Sequence, residues 1–363
     1  MKIMLAGDVC PTDITAPLFE AQDVETLFTD VASIFKGNDV NFVNLECALG
    51  HGGNKIKKFG PNLLAPVETA EVLKKVGVNL VGISNNHFFD YGRPALKESM
   101  EAFEKTGLDT VGFGENYEDS RKNYVVEKNG ETVCFIAVCE HEYTYALPDR
   151  MGCRPFDEFD TIWDIREAKA KYDKVVVIYH GGKEFCAYPS PRVRRAFHAM
   201  AKNGADIVVG QHSHCICCYE QVEGSHLIYG QGNFHFIWKG MKPCWYSALE
   251  VIYDTDKNSV EFIPTVQSAE KKGIYLAKGE EKEALLKAFE ERNKSLLDGS
   301  WIEGWREFVE NEKWYYLEAI EKACAKDATE RDNAVFGHYL DCEAHTDVWR
   351  ELFPTYNQTN ERD

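Results

Sequence analysis

The sequence predicts an α/β fold in which buried sheets are covered by helices, and three observations carry that prediction. First, short apolar runs at 3–6, 40–45, 80–83, 133–138, 175–179 and 207–209 are mostly too hydrophobic to be half-exposed strands. Second, the stretches 27–35, 67–75, 94–105 and 193–202 space their apolar residues as helices do, and Gly77, Gly107 and Gly204 stand after the last three as stop signals. Third, the runs 227–229, 248–253 and 260–263 follow one another without long helices between them, which predicts antiparallel pairing. A simple parallel wound sheet does not accommodate that last group.

The elements follow in chain order. The opening "MKIMLAGDVC" has an apolar run that stops at Asp8, too short for the core of a signal peptide, and reads as a first buried strand. No apolar stretch approaches the length needed to cross a bilayer, so no membrane segment is expected. After about Gln267 the strand signal gives way to charged amphipathic helices. This sets an expected division into 1–267, an α/β domain, and 268–363, a helical C-terminal extension or cap. Trp301, Trp305, Trp314 and Tyr315 fall at helical spacing and are expected in the core of that segment. Its His338 and His345 read as isolated among acidic neighbours, with no metal constellation expected there.

With 44% hydrophobic and 28% charged residues, the 363-residue chain has the composition of a soluble globular protein. Its net charge of −18, with no basic stripe, argues against nucleic-acid or anionic-membrane binding. Twelve cysteines spread through a chain without an export signal are expected to be reduced thiols in a cytoplasmic protein. Cys215, Cys217 and Cys218 lack a second pair at zinc-ribbon spacing and read as small core residues. Nothing in the sequence speaks to oligomeric state.

The chemistry gathers where strands end. Asp8, Glu46, Asn85, Asn86, His87, His180, His212, His214 and Asn233 each stand just beyond a buried apolar run. Such strand ends form the crevice in which α/β proteins commonly bind ligands. A lone His-x-His, as in "IVVGQHSH", is ordinarily a pair of unremarkable loop residues. The recurrence across successive strands points instead to a site for divalent ions, with Mn, Zn, Fe and Mg all compatible with the imidazole and carboxylate donors.

The segments "GDVC", "NLECAL", "GISNNHFFDYG", "YHGGKEF", "NGADIVVGQHSH" and "IYGQGNFHF" occur in an order that resembles the bacterial capsule-synthesis (poly-gamma-glutamate synthesis, CapA-type) proteins. That family is similar to the calcineurin-like metallophosphoesterases. The resemblance runs from Met1 to about Pro264 and implies a four-layer α-β-β-α sandwich. It further implies two divalent ions: Asp8 and His214 on one, Asn86, His180 and His212 on the other, and Glu46 between them. His87 would be the proton donor, Glu184 would reach the site, and Asn233 would brace the pocket wall. Asp90 either orients His87 or caps the following helix. The metallophosphoesterase pattern has a histidine where this chain has Cys10, leaving a soft ligand or a weakened first metal site there. Relatives are often anchored outside the membrane, and without an anchor no direct role in export is expected.

The function implied is a metal-dependent hydrolase acting on a phosphoester, with an anionic small molecule or polymer as substrate. Two alternatives stay open: a non-catalytic metal-binding protein supporting capsule or poly-gamma-glutamate synthesis, and chemistry at a gamma-glutamyl amide. A catalytic site needs an open metal position and a placed acid, whereas a structural one is closed.

Overall fold

The structure is a computed structural model and describes residues 1–140 and 143–354. Two sheets face each other. The first has eight strands, running from the edge as Gly273–Leu276, Ser259–Ser268, Ser247–Asp254, Lys2–Val9, Val40–Leu45, Leu80–Gly82 and Asp109–Val111; Asn233–His235 also pairs with Lys2–Val9. The second has six, in the order Tyr219–Val222, Ser225–Ile228, Ile207–Gln211, Lys174–His180, Glu131–Cys139 and Tyr124–Lys128. Both are mixed: Lys2–Val9 runs parallel to Val40–Leu45 and antiparallel to Ser247–Asp254.

Side chains alternate across each strand and so feed different layers. Ile3, Leu5, Phe42 and Leu80 pack between the sheets against Phe135, Val176, Ile178 and Val209. Met4, Val43 and Val81 face outward onto Phe28, Val72, Leu73 and Phe103 of the first helical layer. Ile136, Val177 and Val208 face the opposite layer, onto Ile165, Phe197, Met200 and Trp305. This is the four-layer α-β-β-α sandwich. Burial on both faces is why the strands read as almost unbroken apolar runs.

Several elements depart from the sequence reading. The stretch 27–35 is not one helix: Val24–Phe28 is followed by a 3-10 turn, Thr29–Phe35. The Thr29 hydroxyl donates to the Ile274 carbonyl and the Leu276 N–H donates to Asp30 (3.0 Å), so this segment is drawn onto the edge strand. The run 227–229 was expected to pair antiparallel. Ser225–Ile228 does so with Tyr219–Val222 but lies parallel to Ile207–Gln211. Glu223 (φ 52°) and Gly224 (φ 87°) supply the two left-handed residues of the tight hairpin that turns it round.

The first sheet takes its last edge strand, Gly273–Leu276, from beyond the expected division at 267/268, which falls inside Ser259–Ser268. Four helices follow: Gly279–Asp298, Trp301–Cys324, Glu330–Asp341 and Glu343–Leu352. In Trp301–Cys324 the buried stripe is Trp301, Trp305, Val309, Tyr316 and Ala319. Trp314 and Tyr315, expected in the core, fall off that stripe and are exposed. The helices are tied to the second sheet by a buried ionic cluster. Arg192 pairs with Glu140 and with Asp347 (3.0 Å), and the Ser190 hydroxyl donates to Asp347 (2.6 Å). Among the described residues all twelve cysteines are free thiols, and Cys215, Cys217 and Cys218 are buried in the core of the second sheet. No described helix is long and apolar enough to cross a membrane.

Candidate metal centre at the strand ends

The C-terminal ends of the two sheets' central strands meet, and they carry the side chains. Asp8 lies at the end of Lys2–Val9, Glu46 just past Val40–Leu45, and His180 at the last position of Lys174–His180. The chain can thread closely here because of glycine. A Cβ on Gly7 would lie 2.2 Å from the Gly232 carbonyl oxygen, and one on Gly181 2.4 Å from the Glu140 Cβ. His212 and His214 sit beyond the end of Ile207–Gln211, both with left-handed backbones (φ 81° and 52°). They converge from a turn, not along a strand. Strained φ values of this kind persist where the surroundings over-determine them, and they cluster at functional sites.

Glu46 is fully buried, and neither of its carboxylate oxygens has a hydrogen-bond partner. Three imidazoles surround it: from Oε1 the distances are 3.4 Å to His180 Nε2, 3.9 Å to His212 Nδ1 and 3.9 Å to His214 Nε2. His212 Nδ1 is likewise buried without a partner. Burial alone would raise the Glu46 carboxyl, yet the His214 and His180 imidazoles hold it well below the usual carboxylate range. Asp8 goes the other way, pushed up to about 7 by burial and by the charge of Glu46. Burial lowers His180 to about 4, which keeps it the neutral imidazole that a metal requires. Orphaned buried donors and acceptors cost on the order of 1–3 kcal/mol each, so a cluster of them at a strand-end crevice calls for a ligand. Carboxylates, imidazoles and an amide oxygen form a donor set that fits divalent ions.

The outer partners aim these groups. The Asn233 carbonyl oxygen accepts from His214 Nδ1 (2.8 Å), turning Nε2 toward Glu46. The Asn44 amide donates to Asp8 (2.7 Å) and stands 3.1 Å from His180 Nδ1; His180 Nε2 faces the Asn86 side-chain oxygen at 3.0 Å. Glu184 lies 3.9 Å from His212 Nε2. Two groups of His, Asp and Glu here bring one ligand atom of each residue within 4.8 Å of the others: Asp8, Glu46 and His180, and Glu46, His212 and His214. They share Glu46 but cut across the division of ligands that the resemblance implies. Cys10 belongs to neither triad. Its thiol is buried beside that of Cys47, and burial and Cys47 raise it well above the ordinary range.

His87 is buried at the floor of a cavity of about 340 Å³ lined also by Asn86, Glu184 and His212. Its Nδ1 lies 2.6 Å from Asp90 Oδ2. A carboxylate only accepts, so Nδ1 carries the proton of that bond and Nε2 is the ring atom left for the cavity. The helix Gly92–Thr106 is capped at Tyr91 without a side-chain bond, so Asp90 orients His87 and does not cap the helix. Sequence reasoning missed Lys58. Its buried ammonium pairs with Asp90 (2.7 Å), donates to the Asn86 carbonyl (2.8 Å) and approaches His87 Nδ1 at 3.2 Å. Burial and that cation lower the His87 imidazole. Lys58 comes from the loop before Leu64–Ala65, where no motif marks it.

The roof of the cavity comes from the C-terminal helices through His338, Tyr339, Cys342, Ala344 and His345. This corrects the reading of His338 and His345 as isolated. With Cys342 they form a third group of metal-capable side chains, brought together by i, i+4, i+7 spacing across a helix junction.

Fold and site together define a class: an α-β-β-α sandwich with a buried carboxylate and imidazole centre at its strand ends. The pattern of the family described as "Bacterial capsule synthesis protein PGA_cap" matches residues 2–237, and the chain belongs to that family. It is 31% identical over 240 residues to the PGA biosynthesis protein CapA of Bacillus subtilis (strain 168), covering 65% of this chain and 63% of that one. Identity to the capsule biosynthesis protein CapA of Bacillus anthracis is 28% over 245 residues, 65% and 60% of the two chains. The chain thus spans less than two thirds of the length of these relatives. The crystal structure of a 5'-nucleotidase from Candida albicans SC5314 aligns with 69% of this chain and 46% of its own, at 11% identity and a TM-score of 0.37, too loose to carry an argument.

Proposed function

We propose that the protein is a metal-dependent hydrolase acting on a phosphoester, with divalent ions held by Asp8, Glu46, Asn86, His180, His212 and His214. The observation that carries this reading is Glu46: a buried carboxylate with two unpartnered oxygens inside a ring of three imidazoles. When bound, such ions supply Lewis acidity and a water made nucleophilic at neutral pH. The chain's own residues do the rest. Glu46 draws the two halves of the site together, and Asn233 and Asn44 fix His214 and His180. His87, held at Nδ1 by Asp90, first takes up a proton at Nε2 from solvent in the cavity and, as the imidazolium, passes it to the leaving oxygen. Lys58 and Lys183 on the cavity wall favour an anionic substrate despite the net charge of −18. The helices from Gly279 onward serve as a cap that narrows the approach.

The relatives are named for PGA biosynthesis and capsule biosynthesis, which supports a substrate connected with such a polymer. An open cavity beside His87 favours catalysis over a purely structural metal site, which would be closed. The test is a metal-supplemented screen of phosphomonoesters, phosphodiesters and gamma-glutamyl peptides. Turnover of a phosphoester that vanishes with chelator supports the reading. Cleavage of only the gamma-glutamyl peptides, or bound metal with no turnover in any class, contradicts it.

A further inference from the structure

The cap carries its own constellation. His338 stands on the helix Glu330–Asp341, Cys342 at its C-terminal end, and His345 in the first turn of Glu343–Leu352. One ligand atom of each lies within 4.8 Å of the others, and all three line the cavity shared with His87 and His212. We propose that His338, Cys342 and His345 form a separate mononuclear site for a borderline divalent ion such as zinc, facing the Glu46 cluster across the cavity. The proposal stands independently of the hydrolase reading, since none of its ligands belongs to the sheets.

A thiolate with two imidazoles is a zinc donor set of three protein ligands, with the fourth position left open to water or to an anionic group in the cavity. The outer partner is already in place. The Tyr316 hydroxyl is bonded to His345 Nδ1 at 2.6 Å, which holds the ring in its orientation at the cavity. Burial raises the Cys342 thiol, against the pull of the His345 and Ala344 N–H groups at the start of the next helix. Binding therefore forms a sulfur–metal bond as the S–H bond breaks, and the thiol proton leaves to solvent. Unlike the Glu46 cluster, this site contains a cysteine, and that difference makes the two separable by spectroscopy.

The experiment uses the full-length chain with cobalt(II) as probe and zinc as competitor. The expected result is a thiolate-to-cobalt charge-transfer band in the near ultraviolet that zinc bleaches. It should persist in Glu46→Gln and Cys10→Ser and be absent in Cys342→Ser. His338→Gln, at a half-buried position, should weaken cobalt binding at the banded site by roughly tenfold or more. If Cys342→Ser fails to fold by circular dichroism, His338→Gln alone decides. No thiolate band in the wild type, a band surviving Cys342→Ser, or unchanged binding in His338→Gln overturns the proposal.

Discussion

At Glu46 the sequence places a negative charge in full burial and gives it no hydrogen bond. Without a cation the carboxylate is costly; a divalent ion held there with the surrounding imidazoles would offset that cost. In a Cys342→Ser background, which removes the cap ion, Glu46→Gln is therefore expected to leave the metal-free protein as stable as its parent or more so, while abolishing the stabilisation that metal at the strand ends provides. For the parent that gain is about 2.7 kcal/mol at metal a hundred times its dissociation constant, read as a rise in melting temperature. An equal metal-induced rise in both proteins would show that Glu46 is not a ligand. His87→Ala should keep metal content by elemental analysis but lower turnover by roughly a hundredfold or more. Equal loss of metal in His87→Ala and His212→Ala would make His87 a ligand instead. The gathering of the six expected ligands and His87 at one crevice is legible because each follows a buried run. Lys58 is not: its role is set by a loop folding back on Asp90, and a lysine beside another lysine in "NKIKKFG" reads as solvated charge.

At the scale of elements, the ends of the central strands place the candidate ligands, and the cap is held by apolar packing of Trp301, Trp305 and Val348 and by a buried ionic cluster of Glu140, Arg192 and Asp347. Removing one partner of a buried ion pair strands the other charge. Asp347→Ala should accordingly cost about 3–5 kcal/mol in chemical denaturation if cap and sandwich unfold together. A midpoint unchanged from wild type would show that the cluster does not hold the cap. The strands and the helix 193–202 could be read from apolar period, because packing and pattern agree there. The stretch 27–35 misled because its helical spacing of apolar residues is overridden by Thr29 and Asp30 bonding to an edge strand 245 residues away. The pairing of His338, Cys342 and His345 was hidden for a related reason. Their spacing crosses a helix junction, so neither helix shows it alone.

Across the whole molecule, two sheets bring strand ends from distant parts of the chain to one crevice, and the C-terminal helices roof it. The loop residue Phe59 packs on His338 and Tyr339 (ring centroids 5.0 and 6.3 Å), closing one side of the cavity. Phe59→Ala is expected to widen the entrance and raise kcat/KM for a bulky phosphoester several-fold relative to a small one, with metal content unchanged. The same ratio in mutant and wild type would show that the roof does not gate access. If Glu46 is shared by two divalent ions at the strand ends, the ion count per chain reads this directly. It is made by elemental analysis of Cys342→Ser, which removes any cap ion, with and without Glu46→Gln. Two ions are expected without Glu46→Gln and none with it; retention of two ions in the Glu46→Gln protein would rule out a shared Glu46.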